Sequence, residues 1–282
     1  MDIRDIKVEV PQVEDFLKAI FKYGTEQAQA YRSVENTPEG PIDINTSKNQ
    51  AILKDFIGRV TEELAEGHES LIEVTDILDQ VGFNKDLLDT DQIKAILNGL
   101  QNANEEQADA IGFFVTLFNL ANISADDIYS YYSVKGTGFD HKIDLSTLMS
   151  YGVSLQHKHK DVAIVHYSIF DSELVESVNQ DYEKVLKYTP GFHSVSERKI
   201  RLNEIRLWLV VYYLNLARNV LKNRPWKQTQ VMSKEDQFQE YLVLSFIYYL
   251  GYLATNNFTP EGLFELFYRK QQLNLWRIST NY

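Results

Sequence analysis

The chain has 282 residues, of which 44% are hydrophobic and 24% are charged, so it carries enough apolar material for an extensive core. Its formal net charge of −12 disfavours general attraction to phosphate backbones, and we expect no nucleic-acid partner. The absence of cysteine excludes a disulfide framework, a cysteine-ligated zinc site and a thiol nucleophile.

Apolar residues recur at intervals of three and four along most of the chain, which predicts an all-α protein. Turn residues divide this pattern at 36–41, 135–138, 189–191 and 223–226. A short strand or buried extended piece is expected at 161–170, where β-branched and aromatic residues cluster. The predicted helices, in chain order, span residues 11–33, 47–80, 90–99, 103–121, 125–134, 172–187, 195–223, 233–255 and 260–275.

Two segments of the chain share one pattern of helix, turn, cap and helix. Placing Lys135 over Lys270 aligns Ser124 with Thr259, and both of these residues favour helix N-caps. Pro260 suits the first position of the helix that follows. A duplicated helical hairpin would produce this match. Convergence of two independent, well-capped amphipathic helices would produce it equally well.

The first chemical signal is two pairs of acidic residues on predicted helices. Glu63 and Glu66 form one pair, and Glu106 and Asp109 form the other. Residues three apart are neighbours on a helix surface, and the apolar flanks place both pairs at the border of a helix–helix interface. Four converging carboxylates would repel one another unless a divalent cation, Mg²⁺ or Mn²⁺, joined them. The alternative is that both pairs are solvated helix faces.

The second chemical signal is a polar face on the last predicted helix. Lys270, Asn274 and Arg277 recur on this face, and Tyr282 follows it. Arginine offers a planar fork to phosphate oxygens and lysine a point charge, while asparagine and tyrosine offer hydrogen bonds. Such a face could grip a polyphosphate chain. The alternative is a solvated basic helix end that complements the helix dipole.

Together these motifs resemble the all-α nucleoside triphosphate pyrophosphohydrolases, which include dimeric dUTPases, phage dCTPase-dUTPases and MazG-like enzymes. That superfamily has ExxE on one helix, ExxD on a second, and a closing helix of the form Y-x-x-K-x-x-x-N-x-x-R-x-x-x-x-Y. All three elements occur here in that order, the last as a close version that carries Lys270, Asn274, Arg277 and Tyr282, and the resemblance covers about residues 50–125 and 235–282. It implies a helical bundle of the dimeric dUTPase/MazG type, two or more Mg²⁺ ions, for which Mn²⁺ could substitute, and a homodimer.

The resemblance further implies hydrolysis of a deoxynucleoside triphosphate, with dUTP favoured, to the monophosphate and pyrophosphate. The four acidic residues would hold the ions, and Glu63 in particular would orient the water that attacks the α-phosphorus. Lys270, Arg277 and Tyr282 would hold the phosphates, and Asn274 would contact phosphate or sugar. A MazG-like or dCTP-directed pyrophosphohydrolase and a non-catalytic nucleotide-binding or regulatory protein are the alternatives.

Further substrate contacts are expected from both halves of the chain. The base pocket would come from the N-terminal helix around Gln27 and Tyr31 and from aromatic residues such as Phe114. In the second repeat, we interpret the metal ligands as lost. That repeat would retain phosphate-facing basic residues, namely Arg218, Lys222 and Lys227.

The chain departs from the superfamily pattern in its segment lengths. The gap between the acidic motifs is longer than usual, which suggests an added hairpin. Residues 136–200 are expected to be a helical insertion between N-terminal helices at 1–135, which carry the acidic motifs, and C-terminal helices at 201–282, which complete the same bundle. The chain shows neither a signal peptide pattern nor an apolar run of bilayer length. We therefore expect no membrane partner and a cytoplasmic location, in the host cytoplasm if the protein is phage-encoded.

Overall fold

The computed structural model describes residues 7–135, 143–156, 197–223, 226 and 234–280. Every regular element in these parts is helical, which confirms the all-α prediction. A single 3₁₀ turn, Lys85–Leu87, lies between the second and third helices. The described α-helices are α1 (Phe16–Glu35), α2 (Ser47–Gln80), α3 (Thr90–Leu120), α4 (Ala125–Lys135), α5 (Leu145–Gln156), α6 (Glu197–Val220), α7 (Glu235–Thr255) and α8 (Pro260–Thr280).

The region between the two acidic motifs differs from the prediction. It was expected to contain a break at 100–102 and an added hairpin, but α3 runs unbroken from Thr90 to Leu120. Leu100 and Ala103 are both buried, so the apolar period continues across the expected break. The residues between the acidic motifs instead belong to α2, to α3 and to the turn between them, which ends at Asp89, and Asp89 caps α3 through a capping box.

Part of the expected insertion is an ordinary core helix. α5 was not predicted, yet its Leu148 and Met149 are buried in the same apolar core as the other helices. The expected strand at 161–170 and the expected helix at 172–187 lie outside the described residues.

Helix α3 occupies the centre of the bundle. It packs along α2 as a hairpin and also contacts α1 and α8, which pack against each other. On its other side, the rings of Phe114 and Phe118 meet Phe246 of α7, each with centroids 5.2 Å apart. α6 packs on α2 and α7, and α5 packs on α7. Side chains of α3 are therefore held from several directions.

The turns that join α3 to α4 and α7 to α8 are built alike, 135 residues apart. Asn122 and Asn257 both adopt left-handed conformations, with φ of 58° and 67°. In each turn the next residue donates its N–H to the carbonyl five residues earlier, at 2.9 and 3.1 Å. Ser124 and Thr259 each accept a hydrogen bond from the N–H three residues on, which confirms their predicted capping roles. The two aligned segments thus share backbone geometry as well as residue pattern.

No described helix is by itself long and apolar enough to cross a membrane. The only described segments that meet this test do so together, and they are α3 and the first residues of α4, which are bent by 87°.

Candidate active site

The close approach of α2 and α3 sets the position of the acidic residues. A Cβ atom at Gly67 would lie 2.6 Å from Nε2 of Gln107 and 3.3 Å from Cβ of Glu106, so the glycine lets the two helices meet at this level. The fully buried Tyr249 of α7 ties that helix to α3, because its hydroxyl donates a hydrogen bond to the backbone carbonyl of Gln107 at 2.8 Å. The backbone that carries the acidic residues is therefore fixed by packing.

Three of the four predicted acidic residues converge. Glu63 of α2 and Glu106 and Asp109 of α3 each place one carboxylate oxygen within 4.8 Å of the others, and all three residues are half-buried. We call these three residues the acidic cluster. Glu66 is exposed and borders the cluster, and its negative charge contributes to the raised pKa values of Glu63 and Glu106.

The electrostatics of the acidic cluster favour a proton or a cation. Burial, a hydrogen bond to Glu106 and the charge of Asp109 raise the pKa of Glu63 to about 9. Burial also raises the pKa of Glu106, which accepts that hydrogen bond from Glu63. The cluster thus retains a proton near neutral pH. Three half-buried carboxylate oxygens this close together could hold a divalent cation such as Mg²⁺ or Mn²⁺.

The predicted polar face of α8 lies against this cluster. Nζ of Lys270 is 3.0 Å from Oδ2 of Asp109, and Nδ2 of Asn274 donates to Oδ1 of the same residue at 3.3 Å. Arg277 donates to Oδ1 of Asn274 at 3.4 Å. Burial alone would lower the pKa of Lys270, but Asp109 and Glu105 raise it above its ordinary value, so the side chain is an ammonium ion. Two further predicted contacts, Tyr282 and Lys227, lie outside the described residues.

Glu105 is a site residue that the sequence interpretation missed. Its Oε2 lies 3.2 Å from Nζ of Lys270, and its Oε1 accepts a hydrogen bond from Gln101 at 2.8 Å. The only signal in the sequence was its place beside Glu106. Adjacent residues of a helix point about 100° apart, so that signal could not show that both face the same site.

A cavity of about 230 Å³ adjoins the acidic cluster and lies between α1, α2, α3 and α8. Gln27 and Tyr31, around which a base pocket was expected, line this cavity. The prediction of Phe114 is wrong, because its ring is fully buried in the core, and the neighbouring Phe113 lines the cavity instead. The other lining residues are Ala28, Glu35, Thr37, Phe56, Glu63, Asp109, Gly112, Thr116, Asn274 and Arg277.

The aromatic wall of this cavity is braced by Arg59. Its guanidinium carbon lies 5.1 Å from the ring centroid of Phe56 and 5.6 Å from that of Phe113. Arg59 is itself held by Glu35 at 2.8 Å and by Asp55 at 3.0 Å. The two rings therefore form an apolar surface that Arg59 contacts and that lines the cavity.

Arg218 and Lys222 do not join this site. Both are exposed, and neither lines the cavity. The reason lies in how α6 packs, because Asn223, just after the end of that helix, donates its N–H to Gln50 near the start of α2. Gln50 is roughly 20 Å from Glu63 along α2, at 1.5 Å per residue. The predicted contribution of this end of α6 to phosphate binding is therefore not supported by the described geometry.

The described site combines carboxylates, a cationic and amide-bearing helix face, and a cavity with an aromatic wall. These groups could together hold a divalent cation, an anionic chain and a flat ring. The chain matches no protein-family model, no curated protein and no solved structure.

Proposed function

We propose that this chain is a Mg²⁺-dependent pyrophosphohydrolase that cleaves a deoxynucleoside triphosphate, with dUTP favoured, into the monophosphate and pyrophosphate. The observation that carries the proposal is the convergence of Glu63, Glu106 and Asp109 from two helices, beside Lys270 and next to a cavity with an aromatic wall. The resemblance of the motifs to the all-α pyrophosphohydrolases supplies the reaction type. As that resemblance also implies, we expect a homodimer that acts in the cytoplasm.

The size of the cavity supports a division of the substrate between two regions. At about 230 Å³ it is slightly smaller than the usual ligand cavity of about 300–1,000 Å³, so it suits the nucleoside part of a nucleotide rather than the whole. The base would stack against the wall formed by Phe56 and Phe113, within reach of the polar groups of Gln27 and Tyr31. The phosphate chain would then extend towards the acidic cluster.

The charges around the acidic cluster support phosphate binding. Asn274 and Arg277 line the cavity, and Asn274 also donates a hydrogen bond to Asp109 of the cluster. Arginine offers two parallel donors to phosphate oxygens, and the ammonium of Lys270 adds a buried positive charge. These groups would offset the negative charge that the phosphates bring to a carboxylate-rich site.

The proposed reaction is in-line attack of water on the α-phosphorus, which breaks the bond to the bridging oxygen and releases pyrophosphate. A divalent cation bound to the carboxylates would polarise the phosphate and lower the pKa of the attacking water. Glu63 would exchange its proton for that cation and, as a carboxylate facing the cavity, orient the water. Arg277 and Lys270 would hold the departing phosphates.

The proposal is tested with a panel of nucleoside triphosphates in the presence of Mg²⁺ or of a chelator. We expect dUTP to give monophosphate and pyrophosphate, and we expect the chelator to abolish turnover. Glu106→Gln should lose at least about 100-fold in kcat, whereas the exposed Glu69→Gln should retain wild-type activity. Preference for another base would change the substrate and keep the mechanism, and no turnover of any nucleotide would refute the proposal.

A further inference from the structure

Glu105 is a carboxylate that lies outside the acidic cluster but close to it. Its side chain is 16% exposed, and it contacts Lys270 through one oxygen and Gln101 through the other. Gln101 and Glu105 are one helical turn apart on α3, so the hydrogen bond between them holds the carboxylate against its own helix. The position of Glu105 is therefore defined independently of the cluster.

The ammonium of Lys270 is shared between two carboxylates. Nζ lies 3.0 Å from Asp109, which belongs to the acidic cluster, and 3.2 Å from Glu105, which does not. The side chain of Lys270 is only 9% exposed. Water therefore could not readily replace a carboxylate partner that this lysine lost.

A divalent cation at the acidic cluster would compete with Lys270 for the oxygens of Asp109. It would also repel the ammonium, since two positive charges a few ångströms apart in a partly buried site interact strongly. A buried ammonium left without a partner is strongly unfavourable. Glu105 removes this difficulty, because it offers Lys270 a charged partner that the cation does not use.

We propose that Glu105 is a positioning residue, which retains the Lys270 ammonium beside the acidic cluster when a divalent cation takes Asp109. This inference rests on the proposed function, because it assumes that the cluster binds a cation. It assigns different roles to neighbouring acidic residues of α3, in which Glu106 and Asp109 would bind the cation and Glu105 would bind the lysine.

The inference predicts an effect on cation affinity that depends on Lys270. In Glu105→Gln, the ion pair that remains to Lys270 is the one with Asp109, so a cation must break that ion pair to take Asp109. Cation binding should weaken about tenfold, which is typical of coupling between contacting charged residues. In a Lys270→Gln background there is no ammonium to retain, and the same substitution at position 105 should weaken binding less than twofold.

The experiment measures Mn²⁺ affinity by electron paramagnetic resonance on the wild type, both single variants and the double variant, without nucleotide. Glu105→Asp is a second variant, which keeps the charge, withdraws the carboxylate by one methylene and should weaken Mn²⁺ binding about threefold. The exposed Glu69→Gln controls for the loss of one negative charge and should change the affinity less than twofold. Thermal melts confirm that each variant is folded.

The outcomes separate this inference from the function on which it rests. A loss of affinity confined to the background that contains Lys270 supports the role of Glu105. Equal losses in both backgrounds, or no loss in either, would overturn that role and leave the metal centre in place. Failure of the wild type to bind Mn²⁺ would overturn the metal centre itself and the role of Glu105 with it.

Discussion

Replacing Glu63 with glutamine should stabilise the protein without cation while abolishing its response to cation. The folded protein holds a proton on Glu63 up to about pH 9, whereas an unfolded chain releases it near the ordinary value of 4.5. Raising the pH between these values therefore favours the unfolded chain, because the unfolded state binds fewer protons. A glutamine amide can donate to Glu106 as the protonated acid does, but it does not titrate.

The size of this effect follows from the pKa shift and from the exposure of the side chain. A fully buried group would make the folded protein less stable by about 1.4 kcal/mol for each pH unit, or nearly 3 kcal/mol from pH 6 to pH 8. Glu63 is only half-buried, so solvent screening reduces this figure to about 1 kcal/mol. For a chain of this length that corresponds to a change of about 2–4 °C in Tm.

The assay is thermal unfolding in a chelator at pH 6 and pH 8, followed by the same scan at pH 8 with Mg²⁺. The wild type should lose about 2–4 °C between the two pH values, and Glu63→Gln should lose much less. At a Mg²⁺ concentration of about 100 times Kd the wild type should gain about 2.7 kcal/mol, and the variant should gain almost none. The control is the exposed neighbour Glu62→Gln, which should behave as the wild type. A variant that is less stable than the wild type in chelator at pH 8, or that keeps the full Mg²⁺ response, would refute the reasoning.

Three further predictions concern packing and substrate binding. Gly152→Ala should destabilise the protein by roughly 1–3 kcal/mol in chemical denaturation, because the new Cβ would lie 2.2 Å from the carbonyl oxygen of Ile247. The control is Gly58→Ala, which should be neutral or stabilising, because a Cβ at that position would meet no atom within 4 Å. Phe113→Ala should raise KM for the nucleotide about tenfold with a smaller effect on kcat, because the wall contacts the base in ground and transition states alike. Arg277→Lys should weaken inhibition by pyrophosphate about tenfold, because lysine lacks the planar fork. Equal stability of the two alanine variants, unchanged KM or unchanged inhibition would contradict the corresponding prediction.

The sequence predicted helices best where caps and apolar period agree. The bounds of α2 match the prediction because the apolar stripe runs without interruption from Ser47 to Gln80 behind the Thr46 cap. α5 was missed because its serine, threonine and glycine residues resemble a loop. Glycine is needed at position 152 because of tertiary packing, since the backbone there lies closer to Gly251 of α7 than any side chain would allow. Such contacts between distant segments leave no local signal.

The site was predictable where one helix carries the signal and unpredictable where two helices must be compared. The three-residue spacing identified Glu106 and Asp109 correctly as neighbours on α3. The same spacing treated Glu66 as equal to Glu63, although only Glu63 turns inward, because the approach of α3 decides which residue is covered. The choice of Phe114 over Phe113 failed for the same reason, as one residue is a rotation of about 100°.

The central claim is that water attacks the α-phosphorus at the acidic cluster, and the most direct measurement is hydrolysis of dUTP with Mg²⁺ in water enriched in oxygen-18. Mass spectrometry of the products shows which phosphorus received the oxygen of water. We predict that the label enters the monophosphate and not the pyrophosphate, and that Asp109→Asn loses the reaction. Label in pyrophosphate, release of dUDP and phosphate, or no reaction of the wild-type protein would contradict the account.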